Sequence, residues 1–190
     1  IPVNQAIAYN PNVEYVLVES KGRRLLVALE LTGQFLPRIS EQESKILWQG
    51  LGEVLPGTIA RHPMHKLGGF FARPRPFLPG EFVTTDQGTG LVHMAPDHGE
   101  EDFLVCKAAG IDPVFAVTDD GRYREDWLWL GGHGSVINNK FNAPDGPICS
   151  DLREAGALLA ASADFQHSYP HSWRSKAKVI FRATPQWFIS

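Results

Sequence analysis

Residues 88–102, Gly-Thr-Gly-Leu-Val-His-Met-Ala-Pro-Asp-His-Gly-Glu-Glu-Asp, join a glycine turn, a short strand and the start of an acidic helix. Glycine at positions 88 and 90 allows positive φ angles and a close approach of another backbone. Residues 91–95 alternate weakly, as a strand does, until Pro96 ends the run. Residues 99–110 carry acids in a first helical turn and close with glycine. The segment therefore predicts a turn, a strand and a helix in succession.

Three side chains of this segment are candidates for chemistry. Asp102 falls in the first helical turn, where the helix dipole stabilises an anion, so we expect an ionised carboxylate that suits an ammonium ligand. His93 stands on the strand, and His98 stands in the loop after it. The structural alternative is a capping aspartate and hydrogen-bonded histidines. Each such explanation accounts for one residue, whereas a shared site accounts for all three.

Outside this segment, the sequence predicts further short strands and helices. Residues 14–20 and 24–29 form a hairpin around Lys21-Gly22, and the capping-box pattern Ser40–Glu43 predicts a short helix through residues 46–48. The remaining predictions are β-like runs at 81–87, 113–117 and 178–182, loops at 56–57 and 74–79, a turn at 119–121 and a helix over 150–161. Together they predict an α+β fold, with a β-barrel-like core of short strands and peripheral helices.

Length, cysteine content and hydropathy limit the class of protein. With 190 residues the chain can form one domain with a sizeable core. It has no signal peptide and no apolar run of spanning length, so we expect a soluble protein without a membrane partner. Cys106 and Cys149 do not make a disulfide framework, which fits a reducing cytoplasm. The chain begins with Ile1 and stops within the apolar run 187–189, so we expect a piece of a longer protein.

The net charge of −3 conceals an uneven distribution of charge. Residues 54–80 and 165–190 each contain four Lys or Arg and no acid, whereas residues 81–126 contain 11 acids and three bases. Basic stretches near aromatic residues such as Phe70 and Phe71 are typical of contacts with phosphates and a stacked base. An ordinary solvated surface is the alternative.

The sequence contains no pattern for a protein nucleophile. It has no Gly-x-Ser-x-Gly elbow, no phosphate loop, no zinc-protease helix and no cysteine with a histidine partner nearby. The prediction is therefore either that water is the nucleophile or that no reaction occurs. An activated ester needs little more than a water placed against its carbonyl.

Three ordered stretches resemble the editing domain inserted in class I aminoacyl-tRNA synthetases of the isoleucyl, valyl and leucyl group. In residues 88–102 the shared pattern is Gly-Thr-Gly, a hydrophobic pair, a variable residue, Pro and a later Asp. The variable residue is His93, which resembles the isoleucyl branch; valyl relatives have Lys and leucyl relatives have Met. Residues 171–190 resemble the return to the catalytic core, and residues 1–8 resemble the end of a threonine-rich peptide.

This resemblance implies an editing domain that hydrolyses valine misattached to the 3′ end of an isoleucine tRNA, with valyl-adenylate as a further substrate. Asp102 and His93 would be the catalytic residues: Asp102 would bind the α-ammonium of the ester, and His93 would help to exclude the cognate side chain. Asn4, Gly88, Thr89, Gly90 and His98 would bind substrate. For His98, the alternative role is to organise the loop.

The chain departs from the family pattern at its beginning. The threonine run and Pro-Trp-Thr that precede the position of Ile1 in the family are absent, so half of that wall of the editing pocket is missing. A folded binding module without activity is therefore an alternative. The implied organisation is an editing domain over residues 1–181 that lacks the threonine-rich strand, followed by a return segment over residues 182–190.

The second departure concerns metal. Relatives often have Cys after the histidine at position 171 and near position 176, whereas this chain has Ser172 and Ser175. The resemblance therefore implies no metal and no cofactor for this domain, with ATP and Mg needed only by the parent enzyme. The expected partners are the tRNA 3′ end and the rest of the synthetase. The alternatives are a metal-dependent hydrolase that uses His93, His98 and Asp102, or a valyl or leucyl relative.

Overall fold

The structure is a computed structural model that describes residues 1–40, 43–164, 166, 168–187 and 189. Its internal contacts divide the chain into two compact units. We call residues 4–61 and 74–94 the sheet unit, and residues 1–3, 62–73 and 95–190 the loop unit. No helix in the described part of the chain is both long and apolar enough to cross a membrane. The division into residues 1–181 and 182–190 stays a prediction.

The sheet unit contains two open sheets. One has four strands in the order β5-β6-β1-β7, with β6 parallel to β1 and the other pairs antiparallel. The second is antiparallel, in the order β3-β2-β4. The strands are β1 Ala6–Tyr9, β2 Glu14–Ser20, β3 Arg23–Ala28, β4 Lys45–Leu51, β5 Ile59–Ala60, β6 Arg75–Pro79 and β7 Leu91–Met94.

The helices are short in both units. The sheet unit has the α-helix α1 Thr32–Arg38 and the 3₁₀ turns Leu29–Leu31 and Gly52–Val54. The loop unit has the 3₁₀ turn His65–Leu67 and three α-helices, α2 Gly69–Ala72, α3 Glu100–Ala108 and α4 Pro147–Glu154. The chain is therefore a mixed α+β protein of short strands and few helices, as predicted.

The predicted hairpin of β2 and β3 is confirmed. Lys21 and Gly22 both have positive φ, at 46° and 75°, which is the backbone that a two-residue turn between twisted strands requires. The paired residues Val16 and Val27 are fully buried. Together with Tyr9, Tyr15 and Leu31 they belong to the hydrophobic core of the sheet unit.

The core of the loop unit is aromatic. Phe71 packs edge-on against Trp127 and Trp129, with ring centroids 5.8 and 5.9 Å apart, a favourable arrangement for aromatic pairs. His62 is buried against Phe71, 5.0 Å between centroids. Its Nδ1 accepts the N–H of Met64 at 3.0 Å, so Nε2 carries the proton and donates to the carbonyl of Ile1.

The predicted helix through residues 46–48 is wrong, because these residues belong to β4. Ile46 pairs with Val18 and Trp48 pairs with Leu17, with a bulge between them. The capping-box pattern is a local signal, and pairing with β2 overrides it. Residues 41 and 42 of that pattern lie outside the described residues.

Other element predictions differ from the structure in their type or their bounds. The loop predicted at 74–79 contains β6, and residues 81–87 are turns and bends. Isolated bridges, Val117 to Tyr123 and His171 to Lys178, stand where strands were predicted at 113–117 and 178–182. Helix α4 begins at Pro147, earlier than the predicted 150–161. It also ends earlier, because Gly156 has a φ of 69° that stops it. The predictions of β7, α3 and the turn at 119–121 are confirmed.

Candidate functional site

The predicted site residues belong to both units. Asn4, Gly88, Thr89, Gly90 and His93 lie in the sheet unit, and His98 and Asp102 lie in the loop unit. His93 is exposed on β7, where it pairs with Ile7 of the antiparallel strand β1. Asn4 is buried, and its amide donates to the carbonyl of Ala6 at 2.8 Å.

The two glycines of the turn have different roles. Gly88 and Gly90 have φ angles of 81° and 72°. A Cβ on Gly90 would lie 2.5 Å from the Cβ of Ala28, whereas a Cβ on Gly88 would meet nothing within 4 Å. The carbonyl of Thr89 accepts the N–H of Ala28 at 2.8 Å. The close backbone approach predicted from these glycines therefore occurs at Gly90, against the end of β3.

Asp102 is half-buried in the first turn of α3. Its Oδ2 accepts the backbone N–H of Ala95 at 2.7 Å, so the carboxylate joins the helix to the residue that follows β7. Burial raises the pKa of Asp102, although hydrogen bonds from the N–H groups of Ala95 and of Asp102 itself and the charge of His98 act in the opposite direction. The pKa thus shifts upwards, opposite to the direction that the helix-dipole argument predicts.

Asp97 organises the peptide that precedes α3. It is 2% exposed, and its carboxylate accepts the N–H groups of Val114 at 3.1 Å and Phe115 at 2.5 Å. Phe115 has a φ of 50°, which side chains other than glycine rarely adopt. The Asp97 carboxylate therefore stabilises an irregular, strained segment in place of the predicted strand. This role could not be predicted from the sequence, because the partners of Asp97 are 17 and 18 positions away.

His98 contacts the C-terminal part of the loop unit. Its Nδ1 lies 2.8 Å from the carbonyl oxygen of Phe181, and the neighbouring carbonyl of Asp97 accepts the N–H of Ala183 at 2.7 Å. These two bonds fasten residues 181–183 to the peptide before α3. This geometry favours the loop-organiser role over the substrate-binding one.

The thiol closest to Asp102 in sequence is unsuited to act as a nucleophile. Cys106 is fully buried on α3. Burial, followed by the negative charges of Asp102 and Asp97, raises its pKa to about 11. A nucleophilic cysteine needs its thiolate at neutral pH, so Cys106 is a packing residue.

No group of three or more His, Cys, Asp or Glu side chains that could hold a metal ion occurs in the described ranges. His93, His98 and Asp102 are all within those ranges and do not form such a group. The alternative of a metal-dependent hydrolase on these three residues therefore gains no support from the side-chain geometry.

Comparison with known proteins supplies the family. No protein-family model matches the chain. An isoleucine–tRNA ligase of Zymomonas mobilis subsp. mobilis is 64% identical over 191 residues, which cover all of this chain and 20% of the ligase. One of Gluconobacter oxydans is 41% identical over 210 residues, which cover all of this chain and 21% of the ligase. The chain is homologous to one segment of the isoleucine–tRNA ligases.

The chain spans about a fifth of the length of those relatives. The resemblance to the isoleucyl branch is confirmed. A solved structure, "The crystal structure of GlLeuRS-CP1", is 17% identical, with a TM-score of 0.46, and covers 63% of this chain and 53% of its own.

The carboxylate of Asp102 has free positions at which it can accept hydrogen bonds from a ligand. An ionised carboxylate offers about four acceptor positions on its two oxygens, and the Ala95 N–H occupies one position on Oδ2. A positively charged ligand at the remaining positions would favour the ionised form and offset the effect of burial on the pKa. The geometry is thus suited to a cation that also donates hydrogen bonds.

Proposed function

We propose that this ligase segment hydrolyses the ester of valine misattached to the 3′ end of isoleucine tRNA, with a positioned water as the nucleophile. The observation that carries the proposal is the Asp102 carboxylate, half-buried and held in place by the Ala95 N–H. The identity to isoleucine–tRNA ligases along the whole chain supports the substrate class.

Asp102 is proposed as the anchor of the α-ammonium group. An aminoacyl ester carries that group next to its reactive carbonyl. A bound ammonium would recover the ionised carboxylate that burial disfavours. Charge-assisted hydrogen bonds of this kind are among the stronger ones in proteins. Fixing the ammonium also fixes the carbonyl for attack by water.

The remaining site residues are assigned with Asp102. We propose that His93 borders the side-chain end of the editing pocket and helps to exclude isoleucine. Asn4 and the turn of residues 88–90 would contact the terminal adenosine and the ester. We assign His98 to positioning the peptide before α3, because its Nδ1 is directed at the carbonyl of Phe181.

The need for such an activity follows from the small free-energy difference by which a binding pocket can distinguish valine from isoleucine. One methylene group separates valine from isoleucine and gives about 1–3 kcal/mol of discrimination, a limit for which isoleucine–tRNA ligases are the standard example. A second pocket that admits valine and rejects isoleucine by overlap would add the missing accuracy.

The chemistry proposed for the segment needs no metal or cofactor, since an activated ester and a positioned water suffice. ATP and Mg would serve the synthetic reaction of the whole ligase. The proposed partners are the tRNA 3′ end that carries a misattached amino acid and the rest of the ligase chain. We propose that it works in the cytoplasm with that ligase.

The decisive experiment is deacylation of valyl-tRNA(Ile) by the wild-type chain and by Asp102→Asn. Asparagine keeps the shape and its amide oxygen can still accept from Ala95, so the fold is preserved while the negative charge is lost. We expect the rate to fall by about 10- to 100-fold, the value of a charge-assisted hydrogen bond. Deacylation by Asp102→Asn at the wild-type rate would overturn the assignment.

The role of His93 has its own test. We expect His93→Ala to permit attack on the cognate isoleucyl ester, because the residue that restricts the pocket is shortened. Rates are measured with valyl- and isoleucyl-tRNA(Ile) side by side. An unchanged ratio of the two rates would remove His93 from the pocket.

A folded binding module without activity is the second candidate, and the observation that favours it is the short span of the chain relative to its ligase relatives. A non-hydrolysable valyl-adenosine analogue distinguishes the two. If the chain binds the analogue but leaves the ester intact while a whole ligase cleaves it, the chain is a binding module.

A further inference from the structure

A hairpin turn in the C-terminal part of the loop unit forms a well-defined tip, residues 172–177. The N–H of Ser172 donates to the carbonyl of Ala177 at 2.8 Å, and the N–H of Lys176 donates to the carbonyl of Ser172 at 2.9 Å. Lys176 has a φ of 57°. The bridge between His171 and Lys178 closes the base of the turn. We call residues 172–177 the hairpin tip.

Two serine hydroxyls hold the tip from within. The Oγ of Ser172 accepts the N–H of Ser175 at 3.3 Å, and the Oγ of Ser175 accepts the N–H of Ala177 at 3.3 Å. Serine hydroxyls commonly stabilise turns in this way. These are the positions where the family resemblance would place cysteines. The shape of the tip is therefore set by hydrogen bonds to its own backbone.

The tip presents an aromatic ring and positive charge to solvent. The side chain of Trp173 is 75% exposed, although tryptophan is largely buried in most folded proteins. The Arg174 guanidinium lies 4.8 Å from the centroid of the Trp173 ring. Arg174 and Lys176 are exposed, and the sequence from 165 to 190 contains no acid. No neighbouring carboxylate in that stretch neutralises this charge.

The tip is connected to the peptide that carries the proposed ammonium anchor. Residues 181–183 are fastened to Asp97 and His98 through the two hydrogen bonds described above. Phe181 lies four positions after Ala177, and four residue steps reach at most about 14 Å. A chain of nucleotides whose end lies at the editing site is therefore within reach of the tip.

We propose that the hairpin tip binds the single-stranded 3′ segment of the tRNA, with one base stacked on Trp173 and the phosphates contacted by Arg174 and Lys176. The inference rests on the proposed function and extends it to the nucleotides before the terminal adenosine. Exposed aromatic rings combined with arginine or lysine are the usual means of binding single strands without reading their sequence. This property suits a tip that meets unpaired nucleotides.

The test uses the full chain and a fluorescently labelled, uncharged oligoribonucleotide with the sequence of the tRNA 3′ end. Binding is measured by anisotropy. We expect Trp173→Ala to weaken binding about tenfold, since stacking of one base is lost, and Trp173→Phe to bind within about twofold of the wild type, because a ring remains. Arg174→Glu with Lys176→Glu is expected to weaken binding at least as much and to reduce the slope of log affinity against log salt by about 1.4.

The matched control reverses two exposed lysines elsewhere, Lys45→Glu with Lys107→Glu, and we expect it to bind like the wild type. Wild-type affinity in Trp173→Ala and in the Arg174 and Lys176 double variant would overturn the inference. So would an equal loss in the control, which would make the attraction a matter of net charge. Because the oligonucleotide carries no ester, failure of the hydrolytic proposal would leave this result interpretable.

Discussion

The sheet unit and the loop unit are stabilised in different ways. Seven strands of the sheet unit pair backbone with backbone, and valine and tyrosine side chains fill its core. Among the described residues of the loop unit, regular structure is confined to short helices and isolated bridges. Buried polar side chains such as Asp97 and His62 pair there with backbone groups. The loop unit should therefore depend on single side chains to a degree that the sheet unit does not.

The largest effect that follows from this difference is expected at Asp97. Asp97→Ala leaves the part-buried N–H groups of Val114 and Phe115 without their acceptor. A hydrogen bond to a charged group contributes about 1.5–3 kcal/mol, so we expect the loss of the two to lower the free energy of unfolding by about 4 kcal/mol. Hydrogen exchange should accelerate in the loop unit while amides of β2 keep their protection.

The control for Asp97 is Asp145→Ala, which removes an exposed acid from the same unit. It should change stability by less than about 0.5 kcal/mol. Equal acceleration of exchange in both units after Asp97→Ala would show that the two are stabilised as one, contrary to the comparison.

The sheet unit offers a matched pair of glycines. Gly90→Ala combines a φ of 72° with a Cβ placed 2.5 Å from Ala28, whereas Gly88→Ala has a φ of 81° and open space around it. We expect a loss of about 3 kcal/mol for Gly90→Ala, from strain plus overpacking, and about 1 kcal/mol for Gly88→Ala, from strain alone. Urea unfolding curves measure both. Equal losses would mean that packing against Ala28 is not important.

In both units, an element was predictable where its signals are adjacent in the sequence. The hairpin of β2 and β3 follows from adjacent signals, a β-like apolar run on each side of Lys21-Gly22, and helix α3 follows from acids at its start and glycine after its end. Strand β4 was mistaken for a helix because its identity depends on pairing with β2, about 30 residues earlier, and a single sequence does not reveal that pairing.

For the proposed site, only local structure was predictable. The position of Asp102 in a first helical turn follows from residues 88–102, whereas its hydrogen bond from the Ala95 N–H and its half-burial depend on the folded structure. The role of Asp97 was not predictable, because the segment that it stabilises at Phe115 lies 18 residues further along the chain. The roles proposed for His93 and Asn4 come from the family resemblance, because the spacing of residues in a single sequence does not indicate them.

The smallest effect concerns pH. Burial raises the pKa of Asp102 above its ordinary value of 3.8, so the folded protein retains this proton at a pH where the unfolded chain has lost it. Ionisation as the pH rises through that window therefore weakens the fold. Asp102→Asn cannot ionise, and the free energy of unfolding of the wild type should fall relative to this variant between pH 4 and its folded pKa. A wild type that gains stability relative to Asp102→Asn over that range would contradict the direction of the shift.

The central claim is that the Asp102 carboxylate holds the ammonium of an aminoacyl ester. It is tested most directly with two substrates and two proteins: the valyl ester and its des-amino counterpart, each with the wild type and Asp102→Asn, with every rate divided by the uncatalysed rate. We expect the wild type to prefer the valyl ester by about 10- to 100-fold, and the variant to treat both esters alike. If Asp102→Asn keeps the full wild-type preference for the ammonium-bearing ester, another group binds the amine and the account is wrong.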